Sequence, residues 1–100
     1  MVQATTPTFV LTLPSTIDLS EAEHILFSIE QNFVTINKDE EDIDVASNVA
    51  TIRLDQEDTV ALSKGNAKIQ LNWTYSDGSR ACTEVKNIVV GENLHKAVIE

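Results

Sequence analysis

Apolar residues recur at every second position along most of this chain, and no other feature restricts its fold so strongly. Phe9, Leu11 and Leu13 alternate with Val10 and Thr12. Ile25, Phe27 and Ile29 alternate with Leu26, Ser28 and Glu30, and Ile43 and Val45 flank Asp44. Ala50, Ile52 and Leu54 alternate with Thr51 and Arg53. Ile69, Leu71, Trp73 and Tyr75 alternate with Gln70, Asn72 and Thr74. Successive side chains of a strand point to opposite faces, so this period marks half-buried strands of antiparallel sheets. About seven short strands with turn signals between them imply a β-sandwich or small barrel.

Alternation also constrains the hairpins, because a one-residue slip would turn a strand's apolar face to water. A two-residue loop at Gln31-Asn32 pairs Ile29 with Val34 and Phe27 with Ile36. A two-residue loop at Ser47-Asn48 pairs Val45 with Ala50 and Ile43 with Ile52. At Asp77-Gly78 a two-residue loop would set Leu71 against Glu84. A three-residue loop, Ser76-Asp77-Gly78 with Gly78 left-handed, instead pairs Trp73 with Ala81, Leu71 with Thr83 and Ile69 with Val85. The bulged three-residue form is therefore expected. Two connections read as single helical turns. Ser20 with Glu23 has the form of a capping box. Asp55 is placed to cap Gln56 to Leu62, with Gly65 to end the turn.

At 100 residues the chain has room for one domain and one modest core. Residues 1–8 read as an N-terminal arm, 9–90 as the sandwich domain and 91–100 as a tail. The chain carries 7 basic and 16 acidic side chains, a formal net charge of −9. Nucleic acids and anionic membranes need a basic footprint, so neither is an expected partner, and a basic protein surface is favoured. The single cysteine, Cys82, excludes an internal disulfide. No apolar stretch is long enough to span a membrane, and no signal peptide is evident, so a soluble protein is expected.

Candidate chemistry is sparse. The acidic run Asp39, Glu40, Glu41 and Asp42, followed by Asp44, is the sharpest local feature, and Glu57 and Asp58 add a second acidic segment. These seven residues are the candidate partner-binding set. A calcium loop lacks the glycine and ligand spacing it needs here. The other readings are a solvated loop that guards strand edges and a docking surface for a basic partner. His24 and His95 have no Cys or His at metal-ligand spacing, so no metal site is expected. Trp73 and Tyr75 share the apolar phase of their strand, which places them in the core and not on a stacking platform. Neither a nucleophile elbow nor a phosphate loop, zinc motif or dinucleotide fingerprint occurs, so neither an enzyme nor a cofactor is expected. The first strand, Phe9 to Leu13, and the last, Val85 to Val90, are the expected sheet edges.

The run Phe9-Val10-Leu11-Thr12-Leu13-Pro14, followed by Ile17-Asp18-Leu19-Ser20 and a long apolar strand, resembles small β-sandwich proteins of tailed bacteriophages. So does Ile52-Arg53-Leu54-Asp55-Gln56-Glu57-Asp58-Thr59, followed by Gly65 and Ile69-Gln70-Leu71-Asn72-Trp73. Both segments are also similar to the immunoglobulin-like N-terminal module of phage baseplate upper proteins. That resemblance implies an antiparallel immunoglobulin-like β-sandwich. It also implies a virion structural or accessory protein, assembled in the bacterial cytoplasm, with other virion proteins as partners. The chain would be a homo-oligomer or a subunit of a larger assembly. It departs from the baseplate proteins in having one domain, without their receptor-facing portion. An alternative from another class is an acidic inhibitor, a DNA mimic or anti-defence protein that binds a basic host protein. A carbohydrate-binding module is a third reading and would require exposed aromatic rings.

Overall fold

The computed structural model describes residues 1–2 and 4–93. Eight strands form two antiparallel sheets that pack as a sandwich-like all-β fold. The strands are β1 (Thr8–Thr12), β2 (Ala22–Gln31), β3 (Val34–Asp39), β4 (Ile43–Ala46), β5 (Val49–Arg53), β6 (Gly65–Tyr75), β7 (Arg80–Cys82) and β8 (Lys86–Val90). The smaller sheet has the order β1-β5-β4. The larger runs β3-β2-β6-β7, with β8 also on β6. Two short helical pieces cross between the sheets, a 3₁₀ turn at Leu19–Glu21 and α1 at Gln56–Val60.

Alternation becomes packing directly. Ile25, Phe27 and Ile29 of β2 and Ile69, Leu71 and Trp73 of β6 are buried, facing Ala50 and Ile52 of the smaller sheet. Phe9 on β1 meets Phe27 on β2 with ring centroids 5.5 Å apart, a tilted aromatic contact that ties the two sheets together. Burying each of these large side chains removes apolar surface worth about 1.5–3 kcal/mol from water.

The hairpins test the parity argument. β4 and β5 pair Ile43 with Ile52 and Val45 with Ala50, as expected for a Ser47-Asn48 loop, and Ser47 takes the positive φ of 56° that the tight turn needs. The loop after β6 has three residues, with Trp73 opposite Ala81 and Gly78 left-handed at φ 89°. Tyr75 N–H donates to Ser79 O at 3.0 Å and Gly78 N–H to Tyr75 O at 3.0 Å, closing the bulged turn.

Other details depart from the expectation. The β2–β3 loop is Asn32-Phe33, so Ile29 faces Ile36 and Gln31 faces Val34. Asn32 tolerates its φ of 52°. Gln31 is held in the ladder because its buried amide donates to Ser63 O (2.6 Å) and accepts from Ser63 N–H (2.6 Å). Ile69 faces Lys86 and not Val85. The strand after Gly78 gains one residue between β7 and β8. There Thr83 Oγ1 accepts the Leu71 N–H at 3.0 Å, and Thr83 N–H donates to Leu71 O at 2.9 Å. This break is why eight strands form. The cap before β2 is Asp18 and not Ser20: Asp18 Oδ1 accepts the Ser20 N–H at 3.0 Å, and Glu23 lies in β2. α1 ends at Val60, short of Leu62, and Gly65 opens β6 instead of ending the helix. Asp55 is the cap, and its N–H donates to Asp58 Oδ2 at 3.0 Å.

Residues 1–2 and 4–7 run along the domain. Met1 O accepts the Gly91 N–H at 2.7 Å, Thr5 O accepts the Thr59 hydroxyl at 2.7 Å, and Pro7 O accepts the Leu54 N–H at 3.0 Å. Most of the expected tail, from Leu94 on, lies outside the described residues.

Candidate functional site

Two surfaces stand out, an acidic end and an open strand edge. At the acidic end, β3 delivers Asp39, the short β3–β4 connection carries Glu40, Glu41 and Asp42, β4 carries Asp44, and α1 carries Glu57 and Asp58. Asp39 shapes the connection. Its Oδ1 accepts the Glu41 N–H at 3.1 Å and its carbonyl accepts the Asp42 N–H at 3.0 Å. Glu41, Asp42, Asp44 and Glu57 are left exposed.

The structure brings part of the candidate set together around a cation. Lys38 Nζ lies 2.8 Å from Asp58 Oδ2, and the two side chains are only 15% and 22% exposed. The hydrogen bond to Asp58 raises the Lys38 pKa, burial opposes it, and the fields of Asp58, Asp42 and Asp55 add to the rise. Burial pushes the Asp58 carboxyl upward, but the Lys38 hydrogen bond and charge and the Asp55 N–H together hold it below its ordinary value. Asp58 is thus ion-paired with Lys38, and from the other acidic segment Asp42 adds its field. Glu40 instead joins His24, with Oε1 2.8 Å from Nδ1. The hydrogen bond to Glu40, and then its charge, raise the His24 pKa against a small burial effect, with Glu23 adding. The same hydrogen bond is the main reason that Glu40 titrates low.

Lys38 and His24 were missed by sequence reasoning. Their partners are 20 and 16 residues away, in α1 and in the β3–β4 connection. The β2–β3 register could have pointed to the second pair, because Leu26 faces Asp39 and brings His24 beside Glu40. His95 lies outside the described residues.

The open edge is β1. Its odd-numbered neighbours point at β5: Leu13 N–H donates to Asn48 O at 2.8 Å, and Pro7 O accepts from Leu54. Antiparallel ladders alternate, so Phe9 and Leu11 bond to β5 while Thr8, Val10 and Thr12 turn their N–H and C=O groups outward. As expected, β1 terminates its sheet. It carries no charged side chain, and Val10 at its centre is 61% exposed. The edges β3 and β4 differ, since they carry Lys38, Asp39 and Asp44, the charges that keep edges from pairing. β8 is partly covered, since Val2 bridges Gly91.

Between β1 and the β7–β8 break runs a groove of about 490 Å³, lined by apolar Leu11, Leu13, Ile17 and Trp73 and also by the charged Glu84 and Lys86. Trp73 itself is 3% exposed, and its indole N–H donates to the Tyr75 hydroxyl at 3.0 Å. This pair therefore anchors the core and offers no platform for stacking on sugars. Cys82 is a free thiol on the exposed side of β7. Among the described residues no three His, Cys, Asp or Glu side chains stand close enough to hold a metal ion. No described helix is long and apolar enough to cross a membrane.

Compared with known protein families, curated proteins and solved structures, the chain matches none. Its class is therefore defined by its own geometry: an all-β sandwich with an unguarded strand edge on one side and a charged, partly self-neutralised end.

Proposed function

We propose that this chain is a protein-binding β-sandwich that works by assembly, a structural or accessory protein of a tailed-phage particle. The observation that carries the reading is the β1 edge. It is uncharged, it presents free backbone donors and acceptors, and it borders a groove that is apolar on the Leu11, Leu13 and Trp73 side, a combination suited to pairing with another strand. The phage setting, and the likeness to an immunoglobulin-like module, rest on the resemblance of the Phe9–Ser20 and Ile52–Trp73 segments. In that setting the exposed acids Glu41, Asp42, Asp44 and Glu57 face basic surfaces of neighbouring subunits. Mass spectrometry of purified particles from the producing host is the test. The chain is expected at a fixed ratio to the major structural proteins, and its absence from particles overturns the reading.

A second reading is favoured by the convergence of Asp42, Asp55 and Asp58 near Lys38. An acidic inhibitor of a basic host protein would use this end, and its binding would weaken steeply with salt. Against it, Asp58 and Glu40 already have partners within the chain, Lys38 and His24.

A further inference from the structure

We infer that β1 pairs with β1 of a second copy of this chain, in an antiparallel two-fold dimer centred on Val10. The inference rests on the assembly reading above and specifies which edge is used and by what partner.

The strand's own sequence, Thr8-Phe9-Val10-Leu11-Thr12, reads nearly the same from either end. Reversed against itself about Val10, it sets Val10 opposite Val10, Phe9 opposite Leu11 and Thr8 opposite Thr12. Each cross-strand pair is then of a favourable kind: β-branched on β-branched, aromatic on aliphatic, hydroxyl on hydroxyl. An isologous interface requires this self-complementarity.

Backbone geometry selects the same register. Only Thr8, Val10 and Thr12 turn their peptide groups to the free edge, as the Leu13–Asn48 and Leu54–Pro7 bonds establish. Hydrogen-bonded pairs therefore form only between even-numbered residues of the two copies. Centring on Val10 uses all three in each copy and makes roughly six inter-strand bonds. Centring on Thr8 or Thr12 leaves two of the three unpaired. The product is a continuous six-stranded sheet in the order β4-β5-β1-β1-β5-β4, formed from two copies of the three-stranded sheet.

Charge permits the pairing despite the net −9 of each copy. No charge lies on β1. The Thr8 end of β1 lies opposite Arg53, the residue nearest α1 in β5, and the Thr12 end lies opposite Val49. The two-fold axis therefore sends the two acidic α1 segments to opposite ends of the joined sheet. Phe9 and Leu11 of each copy face the core side, so the incoming strand adds apolar side chains beside the groove at Ile69 and Trp73. A single five-residue strand pair is smaller than a standard interface, so the dimer should form reversibly with rising concentration.

The test uses the outward position of Val10, which can be replaced without entering the core. Sedimentation of the full chain between about 10 and 500 µM should show a monomer–dimer equilibrium for the wild type. V10K and V10E, each folded by circular dichroism, should each weaken dimerisation by about tenfold or more, because the axis sets each new charge against its own copy. An equimolar mixture of V10K and V10E should recover a heterodimer. A wild type that stays monomeric at the highest concentration overturns the inference. So does a dimer indifferent to both substitutions, or a mixture that recovers nothing. The assembly reading is judged separately by the particle measurement, so a monomeric chain found in particles would refute this dimer alone.

Discussion

The Lys38–Asp58 pair offers the sharpest quantitative test of how the acidic end is held. With Lys38 15% and Asp58 22% exposed, the pair is closer to an interior ion pair than to a surface one. Exposed pairs contribute about 0–1 kcal/mol, and removing one partner of a buried pair costs about 3–5 kcal/mol. An intermediate cost of about 2 kcal/mol is expected for K38M, which keeps the aliphatic stem and leaves the largely buried Asp58 carboxylate without its cation. D58N retains an oxygen able to accept the Asp55 N–H, so it removes the charge more than the cap. Urea unfolding followed by the fluorescence of buried Trp73 measures both variants and the double variant. The coupling energy should be about 1 kcal/mol or more. Its pH dependence follows from the shifts. Asp58 is lowered from its ordinary 3.8, so its contribution is complete above that value and is lost as pH falls through its folded pKa. Lys38 is raised from 10.5, so its contribution is complete below that value and is lost as pH rises through its folded pKa. Strictly additive single variants at neutral pH would refute the argument that Lys38 on β3 holds Asp58 of α1.

Three further outcomes are expected. Gly78→Ala meets no atom within 4 Å but places a side chain at φ +89°, so thermal unfolding should show a loss of about 1–2 kcal/mol from backbone strain alone; no loss would mean the loop is not the bulged three-residue form. Gln31→Leu removes both hydrogen bonds to the Ser63 backbone and should cost about 1–2 kcal/mol in chemical denaturation, and a neutral result would show that Gln31 does not lock the β2–β3 register. In an NMR titration His24 should titrate above 6.5 and return toward that value in E40Q. The His24–Glu40 contribution to stability should be complete between 4.5 and 6.5, fading below through the folded pKa of Glu40 and above through that of His24.

What the residues disclosed in advance depended on whether a local rule was sensitive to the question. Face assignment was legible because a one-residue slip would invert Ile25, Phe27 and Ile29. A two-residue slip keeps the same face, so alternation alone could not distinguish the Gln31-Asn32 loop from Asn32-Phe33. The contact that decides it joins Gln31 to Ser63, in a segment far along the chain. The break between β7 and β8 was hidden for a similar reason. There a threonine hydroxyl replaces a backbone acceptor, and Thr83 bears no mark of that in the sequence. The acids of the candidate site were visible as charges. Their pairing was not, because Lys38 and His24 find Asp58 and Glu40 only once strands and helix are in place. The free edge was legible as a first strand, but its selective presentation of Thr8, Val10 and Thr12 required the hydrogen bonds flanking β1.

Strand β6 is paired with β2 on one side and with β7 and β8 on the other, and this placement gives folding an order in time. The three-stranded sheet has all its residues once the chain has reached Arg53, and the β2–β3 hairpin is available by then too. They can meet through Phe9 and Phe27, but neither covers its apolar face fully until β6 arrives, with Ile29 waiting for Ile69 and Phe27 for Leu71. Partners this distant in sequence close slowly, on a scale of about milliseconds to seconds. A growing chain that pauses between Arg53 and Tyr75 therefore holds incompletely covered hydrophobic surfaces and an unpaired β1 edge at once. That interval is when a chaperone would have most to bind, and when neighbouring nascent copies are most prone to join through the wrong strands.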